Sequence, residues 1–251
     1  MRLISGLLLA VVITNVWAAS DNSATEQKIA DAIKHERRST ADTARDANRK
    51  PLDTLKFFQL RDDMKVLELL PGGGWYTKIL APTLEANGKL YISMGAERTG
   101  EALKGKPGFD SLEVIPFDRA NFSRLEGENR SSVSTFSFGI TQLDMVLTFR
   151  NMHNFTKTGR DNINKAAFEA LKSGGLYGVV DHTQRHMQPT DYELRRRIDP
   201  VLVIKEVEAA GFEFVDYSDL HFRLDDELRY EVGRKTVTGN TDRFTLLFKK
   251  P

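Results

Sequence analysis

Two groups of residues have the types and spacing to do chemistry. The first is Pro71 followed by three consecutive glycines, Gly72, Gly73 and Gly74, directly after an apolar run at 66–70 that carries Glu68. Glycine admits positive φ and lets a ligand approach the backbone. The helix expected next presents unpaired N–H groups and a partial positive charge. Strand, tight turn and helix in that order is the context in which a glycine motif reads as a nucleotide-like cofactor site rather than a flexible turn. The second group is polar. Asn151, His153 and Asn154 follow the apolar run 144–149, and Asp181 with His182 closes the run 176–180. Histidine titrates near neutrality and suits general-base work; a histidine that only caps a strand end fits the same spacing equally well.

These groups act together only if the chain brings them to one edge. Apolar runs at 66–70, 90–94, 114–117, 144–149, 176–180, 212–217 and 243–249 read as strands. Helical spacing is expected over 27–37, 42–50, 75–84, 158–171 and 201–210, and Pro51 opens a further helical piece whose Leu52, Leu55, Phe57 and Phe58 have core spacing. Ser23 and Glu26 have capping-box spacing, and Gly174 with Gly175 is expected to stop the fourth long helix. Strands alternating with helices predict a doubly wound, mostly parallel sheet, whose ligand edge is the carboxyl end of the strands. The last two strands are separated by a charged insert and not by a crossover helix, so they are free to pair antiparallel. Arg45 and Arg49, one helical turn apart, are placed to cover the mouth of a site at that edge.

Composition narrows the function classes. Over 251 residues, 36 Lys and Arg against 35 Asp and Glu leave a net charge of +1, with no run of like charge longer than three residues. That balance favours neither nucleic acid nor an acidic membrane surface as partner. There are no cysteines, hence no disulfide framework and no thiolate metal site. Residues 1–18 have a positive start, an apolar stretch and a small-residue end, with Val16 and Ala18 suited to signal-peptidase cleavage. Export to the periplasm is expected, with no membrane span in the mature chain, a helical extension at 19–60 and a Rossmann-like domain at 61–251.

The chain resembles the class I S-adenosylmethionine-dependent methyltransferases over nearly its whole mature length. The likeness runs from V-L-E-L-L-P-G-G-G through L-K-S-G-G-L-Y-G-V-V-D-H to T-D-R-F-T-L-L-F, and is strongest to an exported branch of predicted methyltransferases. It implies a Rossmann-like seven-stranded sheet, mostly parallel with an antiparallel final strand, and S-adenosylmethionine lying across the strand ends. Glu68, Pro71 and Gly72 to Gly74 would line its methionine end, Met94 or Glu97 would stand near its ribose, and Phe117 with Asp118 would meet its adenine. Asn151, His153, Asp181 and His182 would face the methyl acceptor. Two positions depart from the family pattern: Leu70 stands where the loop has its first glycine, and Met94 where strand two ends in an acid.

Other chemistries compete. His153, Asp181, His182 and His186 include nitrogen and oxygen donors but lack the helical pair spacing of a zinc site, so no metal is expected. A dehydrogenase would need a glycine where Thr77 stands and an acid at the end of strand two. An exported small-molecule-binding protein that keeps the fold without transfer chemistry is the alternative to the enzyme.

Overall fold

The computed structural model describes residues 22–124 and 129–251; the leader expected at 1–18 lies outside them. In chain order the strands are β1 Lys65–Leu69, β2 Lys89–Ser93, β3 Glu113–Val114, β4 Phe122–Arg124, β5 Ser131–Val133, β6 Leu143–Phe149, β7 Leu171–His182, β8 Glu213–Ser218 and β9 Arg243–Lys249. The helices are α1 Ser23–Lys34, α2 Thr40–Thr43, α3 Asp46–Arg49, α4 Pro51–Phe57, α5 Thr77–Leu84, α6 Glu97–Leu103, α7 Lys157–Ala170 and α8 Pro200–Ala209. None of the described helices is long and apolar enough to cross a membrane.

Seven strands form one sheet in the order β3-β2-β1-β6-β7-β9-β8. β9 is antiparallel to both β7 and β8, and the remaining pairs are parallel. Chain direction explains the order. From β1 the chain winds outward through β2 to β3, then returns to lay β6 on the other side of β1, so β1 and β6 flank the point where the winding reverses. The connections after β1 and β6 leave toward opposite faces there, to α5 and α7, and open a crevice at the carboxyl ends of the strands.

Both faces of the sheet are covered, so the central strands are apolar on both sides. On one face Leu69, Val146, Tyr177 and Phe248 pack against Ile163 of α7 and Val203 of α8. On the other, Val66, Leu90 and Leu147 pack against Ile79 of α5, Leu55 of α4 and Ile29 of α1. The N-terminal helices therefore share the core of the sheet. Phe58, just past α4, rests on the backbone of β7 at Gly178, where an added Cβ would stand 3.0 Å from its ring. Burying such a ring contributes about 1.5–3 kcal/mol.

Several expected boundaries move, each for a local reason. α1 starts at Ser23 with Asn22 as its N-cap, so Ser23 is its first residue and not its cap. The helix expected over 42–50 is two short turns, because the ladder tightens at Arg45, whose N donates to Asp42 O at 3.2 Å, and Lys50 turns left-handed at φ 40°. The capping box belongs here: the Ser39 hydroxyl accepts from Asp42 N, and the Asp42 carboxylate accepts from Ser39 N. α5 begins at Thr77, after Trp75 and Tyr76. α7 ends at Ala170, ahead of Gly174 and Gly175, which lie within β7 beside a register shift against β6. The serine-rich stretch at 123–139 contains the last two residues of β4 and all of β5, which pair antiparallel.

Candidate functional site

Three neighbouring strands leave the sheet by the same unusual step. Leu70 after β1, Met94 after β2 and Arg150 after β6 all adopt left-handed backbone, at φ 51°, 63° and 64°. Each is pinned or flanked by fixed backbone: Leu70 N donates to Ser93 O at 3.0 Å, and Arg150 N donates to Val180 O at 2.7 Å. A side chain in this region costs on the order of 1 kcal/mol per residue, and such strain collects at functional edges. Leu70 thus has the conformation of the glycine that the resemblance places there, without being one.

The glycine turn divides its duties. A Cβ on Gly72 or Gly73 would meet nothing within 4 Å, so the hollow face of the turn is open to a ligand. Gly74 instead packs inward, where a Cβ would stand 2.8 Å from the Thr99 methyl. The Thr99 hydroxyl donates to the Gly72 carbonyl and fixes the turn from behind.

In front of the turn lies a cavity of about 350 Å³, walled by Glu68, Leu70, Pro71, Gly72, Gly73 and Asn151, among others. Tyr76 and Phe149 stack at 3.6 Å along one side. Glu68 is buried and accepts from the Thr77 hydroxyl at 2.6 Å. Burial raises its carboxyl to about 7, against the opposing pull of Thr77 and Arg49. Asn151 Nδ2 donates to the carbonyls of Leu69 and Leu70 at 3.3 and 3.4 Å, tying the loop after β6 to the end of β1.

The N-terminal extension forms the roof, and Trp75 holds it. Its indole Nε1 donates to the Asp42 carbonyl at 2.8 Å, while the Arg49 and Arg38 guanidinium groups lie over its ring at 4.4 and 4.9 Å. Lys78 of α5 pairs with the Asp42 carboxylate at 2.7 Å. Arg49 is fixed through its backbone as well: its carbonyl accepts from the Thr54 hydroxyl at 3.0 Å and from His221 Nε2 at 3.0 Å. A carbonyl only accepts, so His221 carries its proton on Nε2 and takes the Thr245 hydroxyl on Nδ1 at 2.7 Å. Burial lowers the His221 pKa to about 4, only partly offset by the bond to Arg49.

A second cavity, of about 250 Å³, adjoins the first and shares Arg45, Arg49 and Arg150 with it; His182, Thr241 and Arg243 contribute to its far wall. The electrostatics of this wall are one-sided. Burial, then Arg150 and Arg45, push the Arg49 guanidinium down to about 8. Burial and Arg150 push Arg243 to about 10, and Arg150 is lowered by burial and by Arg45.

Behind that wall, Asp181 is fully buried and accepts three times: from His153 N at 3.0 Å, from His182 N at 2.7 Å and from His153 Nδ1 at 2.6 Å. The carboxylate fixes the His153 proton on Nδ1. His182 Nδ1 lies 2.9 Å from the Thr241 hydroxyl, and the two imidazole rings are 5.8 Å apart. Burial, then the charges of Arg243, His153, Arg150 and Arg197, hold His182 well below its ordinary pKa, so it is neutral.

The expected site residues separate by position. Glu68, Pro71, Gly72, Gly73 and Asn151 line the first cavity and His182 lines the second. His153 and Asp181 sit one layer back, lining neither. Met94 and Phe117 point into the apolar core with Leu69, and Asp118 is exposed and caps a short turn by accepting from Ala120 N at 2.9 Å. Glu97 opens α6 and faces a separate cleft with Glu101 and Lys104. Arg150 and Arg243 were missed from sequence; the signal for Arg150 was available, as a cation directly ending a buried strand at the ligand edge. His186 pairs with Asp199 at 2.8 Å, and among the described residues no three His, Cys, Asp or Glu side chains converge as a metal set.

No known family model and no curated protein matches the chain. Solved structures do. A SAM-dependent methyltransferase from Aquifex aeolicus superposes with TM-score 0.54 at 16% identity, covering 89% of this chain and 97% of that one. A TehB-like SAM-dependent methyltransferase from Corynebacterium glutamicum gives 0.51 at 12% identity, over 82% and 88%. The cyclase SpnF gives 0.56 at 12% identity, over 91% and 93%. The architecture is that of the class I S-adenosylmethionine-dependent methyltransferases, a fold that also serves a protein described as a cyclase.

Proposed function

We propose that the protein is an S-adenosylmethionine-dependent methyltransferase acting on a small-molecule acceptor. The observation that carries this reading is the open turn at Gly72 and Gly73, placed at the winding reversal beside β6 in this fold. The residues present fit the methionine end of that cofactor. The turn leaves room for close approach, and Glu68 is a buried acceptor suited to an ammonium group. When bound, S-adenosylmethionine supplies an electrophilic methyl group on a sulfonium sulfur. The protein's part is to hold the acceptor in line with it and to keep water out. Tyr76 and Phe149 supply a dry wall, and neutral His182 offers a hydrogen-bonding ring to the acceptor side. His153 and Asp181 position His182 from behind. Export of the chain, with residues 1–18 as a cleaved leader, belongs to the same proposal and is tested by sequencing the N-terminus of protein recovered from a periplasmic fraction.

A second reading, a binding protein without transfer chemistry, draws on the end of β2. Met94 turns into the core there, and the carboxylates on the cavity wall, Asp42 and Glu68, come from other elements and not from the end of β2. Titration with S-adenosylmethionine and S-adenosylhomocysteine separates the two. Micromolar binding that disappears in Gly72→Val supports the transferase reading. Absence of binding in the parent protein removes it and leaves the second.

A further inference from the structure

We infer that the cavity walled by Arg49, Arg150 and Arg243 binds the oxyanion of an acidic small molecule, a carboxylate or phosphate, beside the ligand of the glycine turn. That this molecule is the methyl acceptor rests on the transferase reading; that an anion binds does not.

The inference stands on how these arginines differ from the others. Elsewhere in the protein buried guanidinium groups meet carboxylates: Arg38 meets Asp46, Arg160 meets Glu206 at 2.6 Å and Arg197 meets Asp226 at 2.9 Å. That is the ordinary condition for burying a charge. Among the described residues Arg45, Arg49, Arg150 and Arg243 form no such pair, although Arg49 is 5% exposed and Arg243 7%. Their charged ends crowd one another around one hollow. Arg243 donates from Nη1 to the Asn48 carbonyl at 3.0 Å, and its buried Nε has no partner among the described residues. The acids around these arginines are already engaged, Asp42 with Lys78 among them. Glu68 takes the Thr77 hydroxyl, Asp181 takes His153, and Glu231 takes Arg196.

The arrangement is also built rather than incidental. The Arg49 carbonyl is held by Thr54 and His221, its guanidinium lies over Trp75, and Arg150 is fixed by its bond to Val180. Arg49, Arg150 and Arg243, with the exposed Arg45 at the rim, surround a hollow of about 250 Å³ and match a ligand with a compact negative charge. Thr241 and neutral His182 add uncharged hydrogen-bonding groups to the same wall, suited to the rest of such a molecule.

The test is calorimetric titration of the purified protein with inorganic phosphate and, separately, with succinate, each with and without saturating S-adenosylhomocysteine. At least one of the two anions is expected to bind at low salt, and which of them binds more tightly identifies the oxyanion. Binding should persist with S-adenosylhomocysteine present and weaken about tenfold or more in Arg150→Gln and in Arg45→Gln, as loss of a charged hydrogen bond implies. Neither substitution should lower the melting temperature of the ligand-free protein, since each relieves repulsion. Failure of both anions to bind the parent protein overturns the inference. So does unchanged affinity in both variants, or complete displacement by S-adenosylhomocysteine, which would assign the arginines to the cofactor. Failure of S-adenosylhomocysteine itself to bind overturns the transferase reading alone, because the anion titration is also read without it.

Discussion

His221 Nε2 donates to the carbonyl of Arg49 at 3.0 Å, joining the C-terminal insert to the N-terminal extension across 172 positions of sequence. The neutral ring donates from Nε2 and accepts the Thr245 hydroxyl on Nδ1, and protonation would remove that acceptor while placing a charge in a buried site. A pKa lowered to about 4 means that the unfolded chain binds a proton that the folded chain refuses between about 6.5 and 4. His221 therefore costs stability as pH falls through that window, by up to about 3 kcal/mol for one buried ring. Chemical denaturation at pH 7 and pH 4.5 should show a smaller acid loss in His221→Gln than in the parent. Equal losses would place the acid-sensitive group elsewhere.

Glu68 has the opposite sign. Its carboxyl is raised to about 7, so the folded chain holds a proton that the unfolded chain has released, and stability falls as pH rises from about 4.5 through 7. Glu68→Gln keeps an acceptor for Thr77 and removes the charge. The variant is expected to be more stable than the parent at pH 8 by up to about 3 kcal/mol and close to it at pH 4.5. A variant less stable at both values would show that the ionised carboxylate is compensated in the folded protein.

Arg197 and Asp226 form a fully buried, two-bond pair that links the inserts after β7 and β8. Asp226 Oδ2 also accepts from Asp242 N at 2.7 Å, directly beside Arg243. Asp226→Ala should cost about 3–5 kcal/mol, because it leaves a guanidinium buried without its partner. Replacing both members, as Arg197→Met with Asp226→Leu, should recover much of that loss. The comparison is read from urea midpoints at constant slope.

Arg150→Gly separates folding from function. Glycine removes both the left-handed strain at φ 64° and one of the crowded cations. The ligand-free variant should gain about 1 kcal/mol or lose nothing, while anion affinity drops. Loss of stability would mean that the Arg150 side chain holds the loop after β6 in place.

Much of this architecture was legible because burial on both faces writes parallel strands as apolar runs. The segments that become β1, β2, β6 and β9 stand out on that ground, and the charged insert before β9 marks its antiparallel pairing. The glycine turn was legible as a turn because its open, left-handed backbone is a property tied to residue type. The arginine wall was legible only in part. Arg45 and Arg49 have the one-turn spacing that sets them at the mouth of a site, and Arg150 directly ends a buried strand, whereas Arg243 lies far from all three in sequence and a charged residue by itself reads as solvated surface. Nothing local shows that Arg150 ends its strand left-handed, or that Met94 turns its side chain inward. Those depend on which strand lies alongside, as the Leu70 bond to Ser93 and the Arg150 bond to Val180 illustrate. The helix expected over 42–50 failed for a related reason: its spacing is helical, but Trp75 and the core draw the segment down as two turns over the strand ends.

The roof of the site also sets when the site can exist. Arg243 reaches the Asn48 carbonyl across 195 positions, and Thr245 anchors the histidine that holds Arg49. During vectorial synthesis the roof segment emerges early and meets Trp75 and Lys78 soon afterwards, but its anchors at His221 and Arg243 come last. The hollow closes only when the last strand of the sheet slides between β7 and β8. A chain truncated before residue 243 would keep its glycine turn and lose its anion pocket, so ligand capture is a property of the completed polypeptide and not of any nascent part of it.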